Sequence, residues 1–377
     1  MFKSFKFQLN PTEEQITSIS KHLGCIRFIY NWGLNEKSKA YSQDETKLSC
    51  FDLINKIVEL KKQEEYRWLK EVYASTLQMA LRNLDNAYTS FFKSKSKFPK
   101  FKSKKNSYQT YQYSQHVKIK DDLIYLPKVG WVHYFKSRGV VGKIKTVTVS
   151  KTPTNKYFVS ILCDNSLPIP NKQSVVKSTT VGIDLGIKYF AVTSDGEVFE
   201  NQKYFSKLQK RLRVEQRKLS RRFKKDSKEQ SKSYYKQKLI VAKLHEKITN
   251  QRLDNLHKIS TYLVNKYDTV CLEDLNVSRM LSDPKLAKHI QDCGWRTFRE
   301  LLRLKCQEKG KNLIVIGRFE PSSKRCNSCG HINQISLSDR IFNCSCCNTL
   351  IERDLNAARN IKDYGLGVKP LDAKTVQ

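Results

Sequence analysis

The period of apolar residues changes several times along the chain. Met1-Phe-Lys-Ser-Phe-Lys-Phe-Gln-Leu9 alternates apolar and polar positions, which predicts a half-buried strand. Asn10-Pro-Thr-Glu13 then reads as a helix start, with Asn10 as N-cap, Pro11 in the first turn and Glu13 at the third helical position. Ile16, Ile19, Leu23 and Ile26 follow at helical spacing, and helical patterns run on to Phe92. In the last of them, Ala74 to Phe92, one face is lined by Leu77, Leu81, Leu84, Tyr88 and Phe91. Pro99 ends this region inside Lys93–Lys105, where Phe98 and Phe101 interleave with lysines. From Tyr108 to Cys163 the period returns to two, and Lys145–Ser150 and Tyr157–Leu162 flank a turn as a β-hairpin. The economical architecture is a small β-barrel over 1–10 and 105–178, interrupted by a helical module over 11–104.

Pro168 to Ser178 reads as a linker, and a different pattern follows it. Val181–Ile187, Tyr189–Thr193 and residues near 197–199 are predicted strands. Helices over roughly 203–225 and 232–265 come next, then strand 269–275, helix 295–308 and strand 312–317. Strands, a long helical excursion and a β-α-β unit around one sheet predict a mixed α/β layer. The fold class is therefore multidomain α+β.

Charge narrows the partners. The 377 residues include 70 Lys plus Arg against 36 Asp plus Glu, a net +34 with pI near 9.7. Lysine and arginine at this density neutralise phosphates and release counterions, so nucleic acid is the first candidate partner. Residues 203–247 alone hold 17 basic against 4 acidic residues, too few acids for a helix pair solvated by ion pairs. No apolar run approaches the ~18 residues of a membrane span, and the N-terminus lacks a signal-peptide core. A cytoplasmic protein without a membrane partner, at the nucleoid if bacterial, is the expectation.

Five of the eleven cysteines fall between Cys326 and Cys347. Cys326-Asn-Ser-Cys329 and Cys344-Ser-Cys-Cys347 are CxxC pairs fourteen residues apart, each able to offer two thiolates to one tetrahedral Zn²⁺. Gly330 and Asn348 suit the tight turns that follow. Four thiolates leave no open position, so the zinc is structural. Cys346 could replace Cys344 or Cys347, although the spacing favours the outer two.

Carboxylates are scarce here, so three in apolar contexts need a reason: Asp184 in Val181-Gly-Ile-Asp-Leu-Gly-Ile187, Glu273 in Val270-Cys-Leu-Glu-Asp-Leu275 and Asp354 in Arg353-Asp-Leu-Asn356. Each sits at a strand end or helix start. Two Mg²⁺ (or Mn²⁺) ions roughly 3.5–4 Å apart, held by carboxylates from separate elements, would cut a phosphodiester. Singly, Asp354 is more often an N-cap than a catalyst, and Glu273 also reads as a strand-end surface acid. Asp184 is flanked by Gly182 and Gly186 on its own strand face, which would leave open space for metal and backbone. Alternation puts Glu273 and Asp274 on opposite faces, so only one of them should serve.

Together these motifs resemble the TnpB family, compact nucleases of bacterial insertion sequences similar to type V CRISPR effectors. The resemblance runs over Leu9-Asn-Pro-Thr-Glu-Glu-Gln15, Gly24–Asn31, Phe98–Lys105, Gly182–Gly186, Leu272–Leu275, both CxxC pairs and Arg353–Asn360. It implies a RuvC-like nuclease domain of RNase H fold over 179–318 and 353–365, with Asp184, Glu273 and Asp354 as catalytic triad. It also implies a zinc ribbon over 319–352 and a guide RNA from the transposon end, held by one chain per RNA or by a dimer. The implied activity is RNA-guided endonucleolytic cutting of double-stranded DNA beside a short motif. In that setting Gln78 and Arg82, opposite the apolar face of 74–92, are candidates for reading base edges. Lys100, Lys102, Lys104, Lys105, Arg217 and Arg221 are candidate backbone contacts, and 366–377 is expected to be a disordered tail. A nuclease-dead repressor, a DNA-joining transposase and a basic scaffold are the rivals; the intact acids and the ribbon argue against them.

Overall fold

The computed structural model describes residues 1–105, 108–225, 227, 229–284, 286–336 and 339–368. The chain divides into two compact units, Met1–Pro168 and Ile169–Gln377. Of the expected tail, residues 369–377 lie outside the described residues.

In the first unit, β1 (Phe2–Asn10) leads into α1 (Glu13–Asp44). The cap is Thr12 rather than Asn10, because Asn10 still belongs to the strand and pairs with His133. Thr12 accepts from the Gln15 N–H and Gln15 returns its side chain to the Thr12 N–H, a reciprocal capping box. α2 (Cys50–Leu60), a 3₁₀ turn (Glu64–Glu71) and α3 (Ala74–Phe92) follow. Leu77, Leu81 and Leu84 of the predicted apolar face are buried.

The strands β2 (Gln109–Tyr113), β3 (Lys118–Lys120), β4 (Leu123–Leu126), β5 (Gly130–Tyr134), β6 (Lys143–Lys151) and β7 (Tyr157–Asp164) join β1 in one sheet of order β2-β6-β7-β1-β5-β4-β3. The hairpin read from 145–162 is β6–β7. The expected closed barrel is not formed: β2 and β3 are edges that do not pair with each other. The sheet does curl, since the Tyr113 hydroxyl donates across it to the Pro127 carbonyl at 3.2 Å. Closure fails because β3 has only three residues and because α1 and α3 pack against β2. Helices and the sheet's inner face, including Phe5, Phe7, Tyr111, Tyr113, Val147 and Val159, share one core.

The second unit is built on a five-stranded mixed sheet of order β10-β9-β8-β11-β12. It comprises β8 (Thr180–Leu185), β9 (Tyr189–Thr193), β10 (Val198–Glu200), β11 (Thr269–Glu273) and β12 (Asn312–Ile316). β8, β11 and β12 run parallel, and the β8–β9–β10 meander is antiparallel. Between β10 and β11 lies the excursion, α4 (Tyr204–Arg222) and α5 (Lys232–Lys266), which pack on each other through Leu212, Val241 and Leu244. Short α6 (Val277–Met280) and α7 (Ala287–Cys293) precede α8 (Trp295–Lys309). A small hairpin, β13 (Ile341–Asn343) and β14 (Leu350–Glu352), leads directly into α9 (Arg353–Gly365).

Alternation assigns the two faces of this sheet. Val181, Ile183, Val270 and Leu272 pack in one core with Leu263 of α5 and Phe298 and Leu302 of α8. Gly182 and Cys271 point the other way, toward α9. A Cβ on Gly182 would stand 2.1 Å from the Ala358 carbonyl oxygen, and one on Gly365 would stand 2.3 Å from the Cys271 sulfur. Both glycines exist for close packing of strand and helix. Gly182 therefore does not hold space open for a ligand, as the sequence suggested; the helix fills that space.

Candidate active site and metal centre

Asp184 and Glu273 stand two residues beyond Gly182 and Cys271, which lie opposite each other on adjacent parallel strands. By the period of two, both carboxylates project to the α9 face. Asp354 lies in the first turn of α9, where the helix dipole favours a carboxylate. The three acids thus meet at the carboxyl end of the parallel strands. Asp354 does not act as an N-cap, since that position is Glu352 and no side chain caps the helix. Its carboxylate is instead paired with Arg353 at 3.0 Å.

Mutual repulsion registers in the acidity of the site. Burial, then the charges of Glu273 and Asp354, push the Asp184 carboxyl up to about 8 against the Arg353 guanidinium and the Leu185 N–H. Burial also raises Glu273, opposed by a hydrogen bond donated by the Ser322 hydroxyl. Converging carboxylates that resist joint ionisation suit a hard divalent cation, whose charge would offset the repulsion.

This gives a stability prediction whose sign can be worked out. Asp184 keeps in the native state a proton that the unfolded chain, with a reference value of 3.8, has released. Stability therefore falls as pH rises from the unfolded value to about 8. Without divalent cations, thermal unfolding of the wild type should shift downward across that window more steeply than that of Asp184→Asn. Parallel curves for the two proteins would contradict it.

Asp274 faces away and is claimed by two arginines, Arg299 at 2.9 Å and Arg318 at 2.5 Å, which hold its carboxyl below the usual range. A cleft of about 280 Å³ beside Glu273 is lined by Leu185, Trp295, Arg296, Arg299 and Arg318. Sequence reading missed these arginines. The Asp274 beside Glu273 was the available signal, because an acid next to a strand end needs a partner.

The four predicted zinc ligands converge. The sulfurs of Cys326, Cys329, Cys344 and Cys347 all lie within 4.8 Å of one another, with Cys326–Cys347 at 3.7 Å and Cys329–Cys344 at 3.5 Å. A tetrahedron of ~2.3 Å zinc–sulfur bonds has edges of about 3.8 Å, so the donor set and its spacing fit zinc. Gly330 and Asn348 both adopt positive φ in the turns after the pairs. Cys346 is exposed and outside the cluster. Burial opposes ionisation of Cys344, but the N–H groups of Cys347 and Cys346 and the Asn333 amide overcome it and bring the thiol down to about 6. Asn333 also accepts from the Ser345 N–H and hydroxyl, so it orders the second pair.

Asparagines join the cysteine cluster to α9. Asn356 accepts from the Asn327 N–H, between the first two cysteines, and donates to the Arg325 carbonyl. Fully buried Asn360 donates to the carbonyls of Ser322 and Arg325, at 2.7 and 2.6 Å. Ser322 then donates its hydroxyl to Glu273. One chain of direct bonds thus runs from the first CxxC turn through α9 to an acid.

The candidate nucleic-acid contacts are dispersed. Gln78 and Arg82 are exposed on α3, and Arg217 and Arg221 are exposed on α4. Lys100, Lys104 and Lys105 are exposed, whereas Lys102 is half-buried.

Comparison with known proteins agrees along the whole chain. The IS605 OrfB family, described as "Probable transposase", matches residues 160–283; a Cas12f1-like TNB domain matches 295–361; and an OrfB helix-turn-helix domain matches 1–46. That last span holds one strand and the whole of one 32-residue helix. A "Putative RNA-guided DNA endonuclease" of Streptomyces pristinaespiralis is 35% identical over 97% of this chain and 89% of its own length. InsQ of Escherichia coli K12, carrying the same description, is 34% identical over 97% and 93%. In fold, the chain is similar to the protein of a "Cas12f1-sgRNA-target DNA complex", with TM-score 0.58, 14% identity, and 96% and 98% of the two chains covered. It is also similar to "the mini-RNA-guided endonuclease CRISPR-Cas_phi3", with TM-score 0.53, 9% identity, and 99% and 93% covered. On these matches, together with the order of acids and cysteines along the chain, it belongs to the TnpB family, the OrfB proteins of IS605-type elements.

Proposed function

We propose that this protein is an RNA-guided, Mg²⁺-dependent DNA endonuclease of a transposable element, with Asp184, Glu273 and Asp354 as its catalytic residues in a RuvC-like domain of RNase H fold. The observation that carries the reading is the convergence of three carboxylates on one sheet end, with Asp184 pushed up to about 8 by burial first and then by the other two charges. The names of its full-length relatives point the same way. The three acids would hold Mg²⁺, which when bound supplies charge stabilisation of an in-line displacement at phosphorus. Of the chain's own groups, Ser322 orients Glu273, Arg353 steadies Asp354, and Arg296, Arg299 and Arg318 offer positive charge to the backbone of the cut strand.

With one such triad among the described residues, one site would cut each strand in turn, and attack of water at phosphorus with departure of the 3′-oxygen would leave 5′-phosphate and 3′-hydroxyl ends. Gln78 and Arg82 would read the target-adjacent motif, and the protein would work in the cytoplasm at the nucleoid. The test is to sequence the RNA that co-purifies, supply DNA matching its guide, and map the ends formed with Mg²⁺. A covalent protein–DNA adduct or joined ends would revive the transposase; binding without cutting would revive the repressor.

Salt gives a second check. Arg217 and Arg221 lie on the exposed basic face of α4. The log of the DNA-binding constant should fall against log salt with a slope of about −4 or steeper, as about five neutralised phosphates require. Replacing both arginines by alanine should make the slope shallower by about 2. An unchanged slope would mean that this face meets solvent only.

A further inference from the structure

Lys102, which the sequence offers as a phosphate contact, is committed elsewhere. Its N–H donates to Asn31 Oδ1 at 2.7 Å and its carbonyl accepts from Asn31 Nδ2 at 2.9 Å. Its ammonium lies 4.0 Å from the Tyr30 ring centroid, where burial lowers its pKa. This two-point clamp fixes the basic run against α1 and makes it one wall of an open cleft of about 540 Å³. That size falls in the ~300–1,000 Å³ range of small-molecule sites. The opposite wall is a stripe of α1, Arg27, Phe28, Trp32 and Asn35, with Tyr66 from the 3₁₀ turn.

The groups lining the cleft divide into used and unused. Phe28 is packed by Tyr66 and Trp68, with ring centroids at 5.5 and 5.1 Å. Arg27 makes one long bond, 3.4 Å, to Gln109. Among the described contacts, the indole of Trp32, the amide of Asn35 and the ammonium of Lys104 have no hydrogen-bonding partner, and none of the lining residues is acidic. A flat aromatic surface, an amide with both donor and acceptor, and two cations free of carboxylates match the parts of a nucleotide: ring, base edge and phosphate.

We propose that this cleft binds one unpaired nucleotide, its base on Trp32 with an edge to Asn35, and its phosphate between Arg27 and Lys104. The inference rests on nucleic acid being the partner, but not on cleavage. Its source is either RNA or single-stranded DNA, which offer the same chemistry. Short single-stranded oligonucleotides carrying 5-iodouracil, one of RNA and one of DNA, are irradiated with the full-length protein without added Mg²⁺, and adducts are mapped by mass spectrometry. The expected result is an adduct on the peptide holding Trp32 or Tyr66, retained in Trp32→Phe. Its yield should fall about tenfold in the double variant Asn35→Ala, Lys104→Ala, as loss of edge and phosphate contacts to a stacked base requires. Adducts in the RNA arm, the DNA arm or both support the site and name its source. Adducts confined to other peptides, or a cleft adduct unchanged in the double variant, overturn it. Since no cut is measured, failure here leaves the nuclease reading standing, and Asp184→Ala should leave the adduct intact.

Discussion

Replacing Asp184, Glu273 or Asp354 by alanine, one at a time, is expected to lower DNA cleavage by ~10³-fold or more while RNA and target DNA remain bound, because each supplies charge that the metal chemistry needs. Binding persists because the acids repel phosphate and contribute nothing to holding it. Ser322→Ala should fall between these variants and wild type: the carboxylate remains, but the hydroxyl that orients it is gone. Ser322→Thr, which keeps a hydroxyl, should recover most of the rate. Strand-labelled DNA and a binding assay on the same samples check both statements. Cutting by Glu273→Ala at the wild-type rate would remove Glu273 from the site, and Asp274, already held by two arginines, is poorly placed to replace it.

The second large effect concerns zinc. Cys326→Ser or Cys347→Ser, or removal of the metal by a chelator, should unfold the ribbon and also abolish cleavage, although no cysteine lies among the acids. A structural Cys₄ zinc contributes folding free energy outright, on the order of 10 kcal/mol in isolated fingers. Here the loss passes through Asn327, Asn356, Asn360 and Ser322 to Glu273. Metal analysis should find about one zinc per chain, and Cys346→Ser should leave both zinc and activity unchanged. Active protein free of zinc would refute the coupling.

Much of this was legible in the sequence because it is periodic or local. Alternation in 180–185 and 269–273, and the basic helices of 203–265, come from side-chain spacing alone, and CxxC spacing needs no fold to be read. What escaped depends on contacts far apart in the chain. Gly182 looked like room for a ligand, yet its neighbour is the backbone of a helix more than 170 residues later. The barrel failed to close because β2, paired with β6 alone, has α1 and α3 packed against it and does not pair with β3, and no strand pattern reports that. Thr12 displaced Asn10 as cap because pairing with His133 holds Asn10 in the sheet. Ser322, Asn356 and Asn360 are ordinary polar residues until the fold puts carbonyls and a carboxylate beside them.

The close seating of α9 on β8 has a consequence for the order of synthesis. Asp184 and Glu273 leave the ribosome early, but the third acid lies beyond residue 350, on a helix docked by Gly182 and Gly365 and tied to the cysteine cluster. A chain truncated before residue 353 carries two of the three proposed catalytic acids and is expected not to cut, which a cleavage assay on the truncated protein checks. On the proposed triad, the third acid is therefore usable only when α9 is seated on β8 and braced by the cysteine cluster, so assembly of the site waits on the last contacts of this unit to form.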